Sequence, residues 1–371
     1  MKDLRILIIG AGIGGLTSAI ALRRQNFEVA LIEKDPEWQV YGVGIIQQAN
    51  VVRAMAQLDL LEGYLDSAFG FNFVEVYAPT GERVARVPVE KLDDRFPANV
   101  GISRRTLHEF LGKSALDAGA TIKLGVTATR IDDDGDGVTV GFSDGTQDRY
   151  DVVIGADGVY STTRAQVFPD EPAPCFVGQS VWRYNFQKPA DVDCIRSYEG
   201  KIGIGLVPLS DTLMYMFVTT PEPGNPRYPR AGLAAALRAK LADAPPGIRE
   251  LVPQIGDDEE VVYKPLERIF VDGPWHKGCV TLIGDAVHAT TPHLGQGAGM
   301  AIEDSVVLAE ELARQATVEE AFVAFHDRRF ARCKYIVEQS EAICEGQLGL
   351  RPPVSQAQAM HDMFAVTAQP I

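Results

Sequence analysis

The chain has 371 residues, 46% hydrophobic and 23% charged, a balance that excludes extended disorder and allows two domains or one large folded unit. Its formal net charge of -15 leaves nucleic-acid binding without electrostatic support, because phosphate neutralisation needs clustered Lys and Arg. Cys175, Cys194, Cys279, Cys333 and Cys344 are scattered without a CxxC pair, which points to reduced thiols in a cytoplasmic protein and away from a disulfide framework or a structural zinc site.

Residues 5–9 are a short β-branched and leucine run, predicted as a buried parallel strand. Gly10-Ala11-Gly12-Ile13-Gly14-Gly15 follows and matches GxGxxG through Gly10, Gly12 and Gly15. A helix over 14–25 and a second strand over 28–33 complete a βαβ unit, with Glu33 at the end of the second strand. That context suits a dinucleotide. The glycines permit a tight turn and close approach of the backbone to a pyrophosphate at a helix N-terminus, and Glu33 accepts from ribose hydroxyls. The apolar stretch 4–22 holds four glycines, ends in Arg23-Arg24 and has no cleavage-like site, so it is not a signal peptide. No other apolar run is long enough to span a bilayer, and no stable membrane anchor is expected.

Further along, a helix is predicted over 106–118 and strands over 121–124, 126–132, 137–142 and 149–154. The acidic run Asp133 to Asp136 lacks the downstream glutamate of a calcium loop and reads as a solvated hairpin tip. From about residue 177 the pattern changes to short strands over 181–186, 201–207 and 213–219, followed by a helix over 231–241. A strand over 278–283 and a helix over 297–313 then return to the first pattern, and 318–345 reads as a long amphipathic helix. The tail after Leu350 has little pattern. These shifts divide the chain into a nucleotide-binding βαβ (1–70), substrate-domain strands (71–100), a nucleotide-binding continuation (101–176), a substrate-binding sheet domain (177–270), a further nucleotide-binding segment (271–316) and a C-terminal helix with tail (317–371).

Two later motifs separate FAD from NAD. Gly155-Ala156-Asp157-Gly158 ends one predicted strand and precedes Arg164. Gly284-Asp285-Ala286-Val287-His288 ends another and leads into Pro292-His293-Leu294-Gly295-Gln296-Gly297. With all three motifs in this order, residues 5 to about 312 resemble the single-component flavoprotein aromatic hydroxylases, which include the p-hydroxybenzoate, salicylate, 6-hydroxynicotinate and urate hydroxylases. The resemblance implies an α/β fold in which a Rossmann-like FAD-binding domain carries an inserted antiparallel-sheet substrate domain and a long C-terminal helix. Asp285 matches the aspartate on the ribityl chain, where a carboxylate makes charge-assisted hydrogen bonds. Pro292 matches a proline beside the reactive face of the flavin. Gly295, Gln296 and Gly297, with Ala298 after them, match the backbone stretch along the isoalloxazine, where donors stabilise negative charge. Asp157 resembles the residue associated with FAD and NAD(P)H binding, and Arg104 an arginine on the flavin nucleotide. Gly44, in Gly42-Val43-Gly44-Ile45, lies in what resembles the loop that carries the flavin between its inner and outer positions. Arg105 reads as a solvated surface charge.

The resemblance further implies hydroxylation of a small aromatic or N-heterocyclic ring with oxygen and NADH or NADPH, through a flavin C4a-hydroperoxide in a site that excludes water. The absence of a second GxGxxG fits transient binding of the nicotinamide co-substrate. In Trp182-Arg183-Tyr184-Asn185-Phe186, strand alternation sets the three aromatics on one face and Arg183 and Asn185 on the other. One face can stack on a ring while the other supplies polar contacts, although aromatics in such a strand commonly serve as core. Tyr215 has the same ambiguity. Ile46 stands where nicotinate-type relatives carry a histidine, which leaves Gln47 and Asn50 as polar candidates near the ring. The substrate set is therefore Gln47, Arg183, Tyr184, Asn185 and Tyr215. His288 and His293 have no third ligand nearby in sequence, so no metal is expected, and Glu303 and Asp304 suit the helix dipole. A non-hydroxylating flavoprotein oxidoreductase and a quinone-biosynthesis hydroxylase are the alternatives, and a monomer or homodimer is expected.

Overall fold

In the computed structural model, residues 4–40, 42–198, 200 and 202–371 are described. The N-terminal unit forms as its sequence predicts: β1 (Arg5–Ile9), α1 (Ile13–Arg24) and β2 (Glu28–Glu33), with β1 parallel to β2 and Ile9 opposite Ile32. Ile6, Leu7, Ile8 and Ile9 are all buried, as a parallel strand covered on both faces requires. The six-stranded sheet runs His276–Lys277, Val280–Leu282, Val152–Gly155, β1, β2 and Thr121–Leu124. The strand from residue 152 thus lies beside β1 and the strand from residue 280 beside that one in turn, both parallel to β1, and the turns at their carboxyl ends meet the glycine turn at one crevice.

One predicted strand proves to be two. Gln147–Tyr150 closes a three-stranded antiparallel sheet, whereas Val152–Gly155 joins the parallel one. The break falls at Asp151, whose carboxylate accepts from the Arg5 N–H at 2.7 Å while its own N–H donates to Arg5 O at 2.9 Å.

The second large sheet has seven strands, in the order Val262–Arg268, Cys175–Gln187, Leu213–Pro221, Gly203–Pro208, Ile195–Tyr198, Phe73–Tyr77 and Arg83–Pro88. Lys201, the start of one predicted strand, lies outside the described residues. Alternation gives this sheet two characters. Trp182, Tyr184 and Phe186 pack with Leu237 and Ile248 in a core of their own. Arg183 and Asn185, with Tyr215 opposite Asn185, occupy the other face, against the nucleotide-binding part.

The tail departs from expectation. Gln356–Thr367 is a helix capped by Ser355, and its Ala359 and Met363, four residues apart, seat on the main core. Its short, weakly amphipathic pattern needs tertiary contact to become a helix.

Two helices dominate the C-terminal half, Gly297–Arg314 and the 30-residue Val318–Gln347, the latter opened by a Thr317/Glu320 capping box. Glu303 and Asp304 are not solvated dipole acids but fully buried residues. Arg329, also fully buried, donates to Glu303 Oε2 at 2.7 Å, to Asp304 Oδ1 at 2.9 Å and to Met300 O at 3.3 Å. His288 bonds Asp304 Oδ2 at 2.7 Å, and Cys333 lies near. A third residue of metal-ligand type therefore does approach His288, contrary to the sequence reading, because folding joins positions that are remote in the chain. His288, Asp304 and Cys333 offer ligand atoms within 4.8 Å of one another. Arg329 already brings positive charge there, bonded to Asp304 and 3.6 Å from the Cys333 sulfur.

Replacing Arg329 with Ala strands two buried carboxylates, and the expected loss is about 3–5 kcal/mol, read from urea unfolding. Burial alone would raise the Asp304 carboxyl, but the His288 and Arg329 cations hold it down at about 2. A depressed carboxylate contributes stability above its unfolded value and loses that contribution as pH falls through the folded one. Burial opposes charge on His288, while the Cys333 sulfur and Asp304 outweigh it and raise the imidazole, so that contribution fades on the alkaline side. Unfolding midpoints should therefore drop between about pH 4 and pH 2. Asp304→Asn should be weaker at pH 7 and lose part of that acid slope.

Candidate active site

The crevice begins at the glycine turn. Gly10 has φ +105°, and a Cβ on Gly15 would lie 1.9 Å from Gly10 O, so the turn closes only without side chains. Nothing lies within 4 Å of a Cβ position on Gly12, which leaves the turn open on one side. Glu33 accepts from the N–H of Ala11 and of Asp35, both at 3.0 Å, and is held at the edge of that opening. Ser305 meets Thr17 at 2.7 Å and Ser18 at 2.9 Å, and a Cβ on Gly14 would come within 3.2 Å of Ala301 Cβ. These pairs advance together along both helices, so α1 and Gly297–Arg314 run parallel at close range. Their N-termini open on the same crevice, each with first-turn N–H groups that have no helical partner. A bare backbone cradle between two positive helix ends suits a pyrophosphate-bearing cofactor.

Asp285 follows Gly284, whose φ is +58° and whose N–H donates to Asp304 Oδ2 at 3.0 Å. Asp285 is exposed to solvent, yet protein packs closely enough around its carboxyl to desolvate it in part. That enclosure pushes its carboxyl up, with His288 and Arg104 pulling it back. Among the described residues nothing hydrogen-bonds the carboxylate, which leaves it able to accept from hydroxyl groups. Asp157 is occupied differently: its carboxylate accepts from Ser161 Oγ, Thr162 Oγ1, Thr163 Oγ1 and the Thr163 N–H, capping the short helix Thr162–Val167. Arg164 from that helix donates to Ala286 O at 2.7 Å and Val159 O at 2.9 Å, tying the Asp157 turn to the Asp285 turn.

Opposite lies the loop 42–44, gripped from several sides. Asn185 Nδ2 donates to Gly42 O at 3.0 Å, and Arg104 donates to Gly44 O at 2.7 Å. A Cβ on Gly44 would lie 2.2 Å from the Tyr215 ring, so the loop rests directly on that ring. The Arg183 side chain, on the same sheet face, has no hydrogen-bond or ion-pair partner among the described residues. Burial and the neighbouring Arg104 pull its guanidinium down to about 9, with Tyr215 opposing. Burial likewise pushes the Tyr215 phenol up, against both arginines. The result is a pair of neighbouring cations, Arg104 and Arg183, beside two aromatic rings, Tyr215 and Phe217, 6.2 Å apart.

Not every sequence candidate joins this group. Tyr184 lies on the far face of the sheet, its hydroxyl on Gln254 O at 3.2 Å. Gln47 is buried in the first core and accepts from Tyr64 Oη at 2.6 Å. Both follow from alternation: β3 (Gly44–Gln48) turns Ile46 and Gln48 toward the crevice and Gln47 away. Asn50, in α2 (Ala49–Gln57), binds Gln296 and Glu303. Pro292 is exposed at the head of a short turn through Leu294, and Gly295 has φ +66° before Gln296, Gly297 and Ala298 begin the helix. His293, set aside in sequence, links three elements. Its Nε2 meets Gln179 at 3.1 Å and Gln347 at 3.2 Å, and its Nδ1 meets Thr291 Oγ1 at 2.9 Å. Burial lowers it to about 4, so it is neutral near pH 7. No periodicity marks such a residue, because the two glutamines that hold its Nε2 are more than 50 positions away.

The FAD binding domain family matches residues 3–340. YetM of Bacillus subtilis (strain 168), provisionally named an FAD-dependent monooxygenase, is 32% identical over 356 residues, covering 94% of this chain and 95% of that protein. The FAD-dependent urate hydroxylase of Klebsiella pneumoniae is 29% identical over 365 residues, covering 92% and 90%. Among solved structures, a variant of Klebsiella pneumoniae HpxO complexed with FAD superposes with a TM-score of 0.86 at 26% identity, covering 99% of this chain and 94% of that one.

Gly15→Ala forces a Cβ into Gly10 O. At an overpacking cost of about 1–3 kcal/mol, FAD affinity should fall ~10–100-fold, measured by the flavin absorbance retained on the purified protein.

Proposed function

The chain belongs to the FAD binding domain family and is an FAD-dependent monooxygenase, and on that premise we propose that it hydroxylates a small aromatic or N-heterocyclic ring at the expense of NADH or NADPH and oxygen. One observation carries the reading: the sheet face with Arg183, Asn185, Tyr215 and Phe217 closes over the loop 42–44 beside the crevice, with the Arg183 side chain left without a hydrogen-bond or ion-pair partner among the described residues.

Gly10, Gly12 and Gly15 would admit the pyrophosphate to the N-terminus of α1, while Glu33 takes the adenosine ribose and Asp285 a ribityl hydroxyl. The first-turn N–H groups at Gly297 and Ala298 would face the ring system, where they favour negative charge. Bound there, FAD would supply the redox chemistry, accepting a hydride and activating oxygen. Asp157, consumed in capping, would act by shaping the turn rather than by touching the nucleotide. On the opposite side Tyr215 and Phe217 offer aromatic surface for the substrate. Arg183 would pair with an anionic or strongly accepting group on the ring, which relieves both its desolvation and its repulsion by Arg104. A carboxylated ring or a ring oxyanion meets that requirement, as does urate; another Klebsiella pneumoniae HpxO structure is complexed with FAD and uric acid.

The decisive experiment is NAD(P)H oxidation by the FAD-loaded protein across phenolic and N-heterocyclic acids, counting peroxide. One ring should accelerate oxidation with peroxide well below the NAD(P)H consumed. Oxidation that no ring changes would overturn the reading. Arg183→Met removes a charge-assisted contact of about 1.5–3 kcal/mol, so KM for an acidic ring should rise ~10–100-fold. The slow ring-independent oxidation should change little.

A further inference from the structure

The turn 292–297 faces the crevice, yet the Gln296 side chain is buried, 1% exposed, and engaged behind it. Its Nε2 donates to Gln48 Oε1 and, at 3.1 Å, to Asn50 Oδ1. Asn50 Nδ2 donates to Gln296 Oε1 at 3.0 Å and to Glu303 Oε1 at 3.1 Å. Gln48 Nε2 donates to Leu294 O at 3.0 Å, a main-chain carbonyl of the same turn. Glu303 is held by Arg329 at 2.7 Å, by Arg332 at 3.1 Å and by Arg53 at 3.6 Å.

An ionised carboxylate only accepts hydrogen bonds, whereas a primary amide has a donor end and an acceptor end. Glu303 therefore dictates that Asn50 turns its NH2 inward. Asn50 Oδ1 must then accept from Gln296 Nε2, which turns the Gln296 amide so that its NH2 also serves Gln48 Oε1. Gln48 is left with its NH2 toward Leu294 O. Each amide takes its sense from the one before, and reversing any of them would set carbonyl against carbonyl or carbonyl against carboxylate in a buried space. Burial disfavours charge on Glu303, but Arg329, Arg332 and the Asn50 amide hold the carboxyl below its ordinary range, so the source of the polarity persists. Such a network is strong when every member is satisfied and weak when one fails.

We propose that Glu303 is a positioning residue: through Asn50, Gln296 and Gln48 it sets the sense of a buried amide relay that holds the turn 292–297 in the shape that receives FAD. The proposal rests on the reading that this turn faces the flavin.

The test is a double-mutant cycle on FAD affinity, measured by flavin fluorescence as the full-length, deflavinated protein is titrated with FAD. Glu303→Gln keeps the shape and removes the charge, and Asn50→Ala cuts the relay. Each should weaken FAD ~10-fold, as for one buried hydrogen-bond group left unsatisfied. Because both act along one path, the double variant should be little weaker than Asn50→Ala alone, and the visible spectrum of the bound flavin should shift alike in all three. Multiplicative effects, ~100-fold in the double variant, would overturn the relay. Unchanged FAD affinity with only a lowered unfolding temperature would also overturn it, since that is what a purely structural carboxylate gives. If Glu303→Gln does not fold, the cycle of Asn50→Ala with Gln48→Ala reads the relay from its other end, with the same non-additivity expected. Wild-type protein that binds no FAD would overturn the cofactor reading itself, whereas FAD binding with an additive cycle overturns the relay alone.

Discussion

Arg329 stands between the two long C-terminal helices with Glu303 and Asp304 as its counter-ions, all three withdrawn from water. What it pins is the helix Gly297–Arg314, whose first turn forms one wall of the cofactor crevice. An unpaired charge at that depth would cost several kcal/mol, so the helix cannot slide along its neighbour without breaking the cluster. The Asp304 branch reaches His288 and the Gly284 N–H, which fixes the turn bearing Asp285. The Glu303 branch reaches Asn50 and from there the turn before the helix. One guanidinium thus sets the distance between Asp285 and the first-turn N–H groups of that helix, the two features proposed to meet one cofactor.

Ser305, Gly14 and Ala301 impose the second constraint, by smallness. Close packing of α1 against the helix Gly297–Arg314 brings two helix N-termini to one place, and a larger side chain at Gly14 would separate them. The crevice is then positive by construction in a chain whose net charge is -15, with Arg104 and Arg183 adding to it from the opposite wall. Overall charge and local potential are independent quantities, and only the local one decides what binds.

The seven-stranded sheet shows how far a sequence pattern carries. Alternation along Trp182-Arg183-Tyr184-Asn185-Phe186 divides the residues correctly into two faces, but not which face meets the cofactor side. Contacts answer that: Trp182 and Tyr184 lie against the helix Leu233–Lys240, while Asn185 reaches Gly42. Gln47, a candidate only because Ile46 stands where relatives carry a histidine, is turned away by the same alternation, since Ile46 and Gln48 carry the crevice side of β3. Glu303 and Asp304 are a different failure. Near the start of an amphipathic helix, acids are ordinarily solvated, and nothing in the local pattern marks these as buried.

The sequence by itself determined the glycine turn with Glu33, the acid at the end of the Val280–Leu282 strand, and the parallel strands around them. These depend on steric and hydrogen-bonding needs that act within a few residues: absent side chains, a helix start, a run of β-branched residues. The tertiary structure alone decided that Arg183 lies on the sheet face toward the crevice, its side chain without a partner among the described residues, that Asp157 spends its carboxylate on a helix cap, and that Gln356–Thr367 is helical. It alone joined Arg329, Asp304 and Asn50 across the chain. Pairing of buried charges and amides depends on distance in space, and residues 25 to 250 positions apart become neighbours only when the sheets and helices have chosen their order.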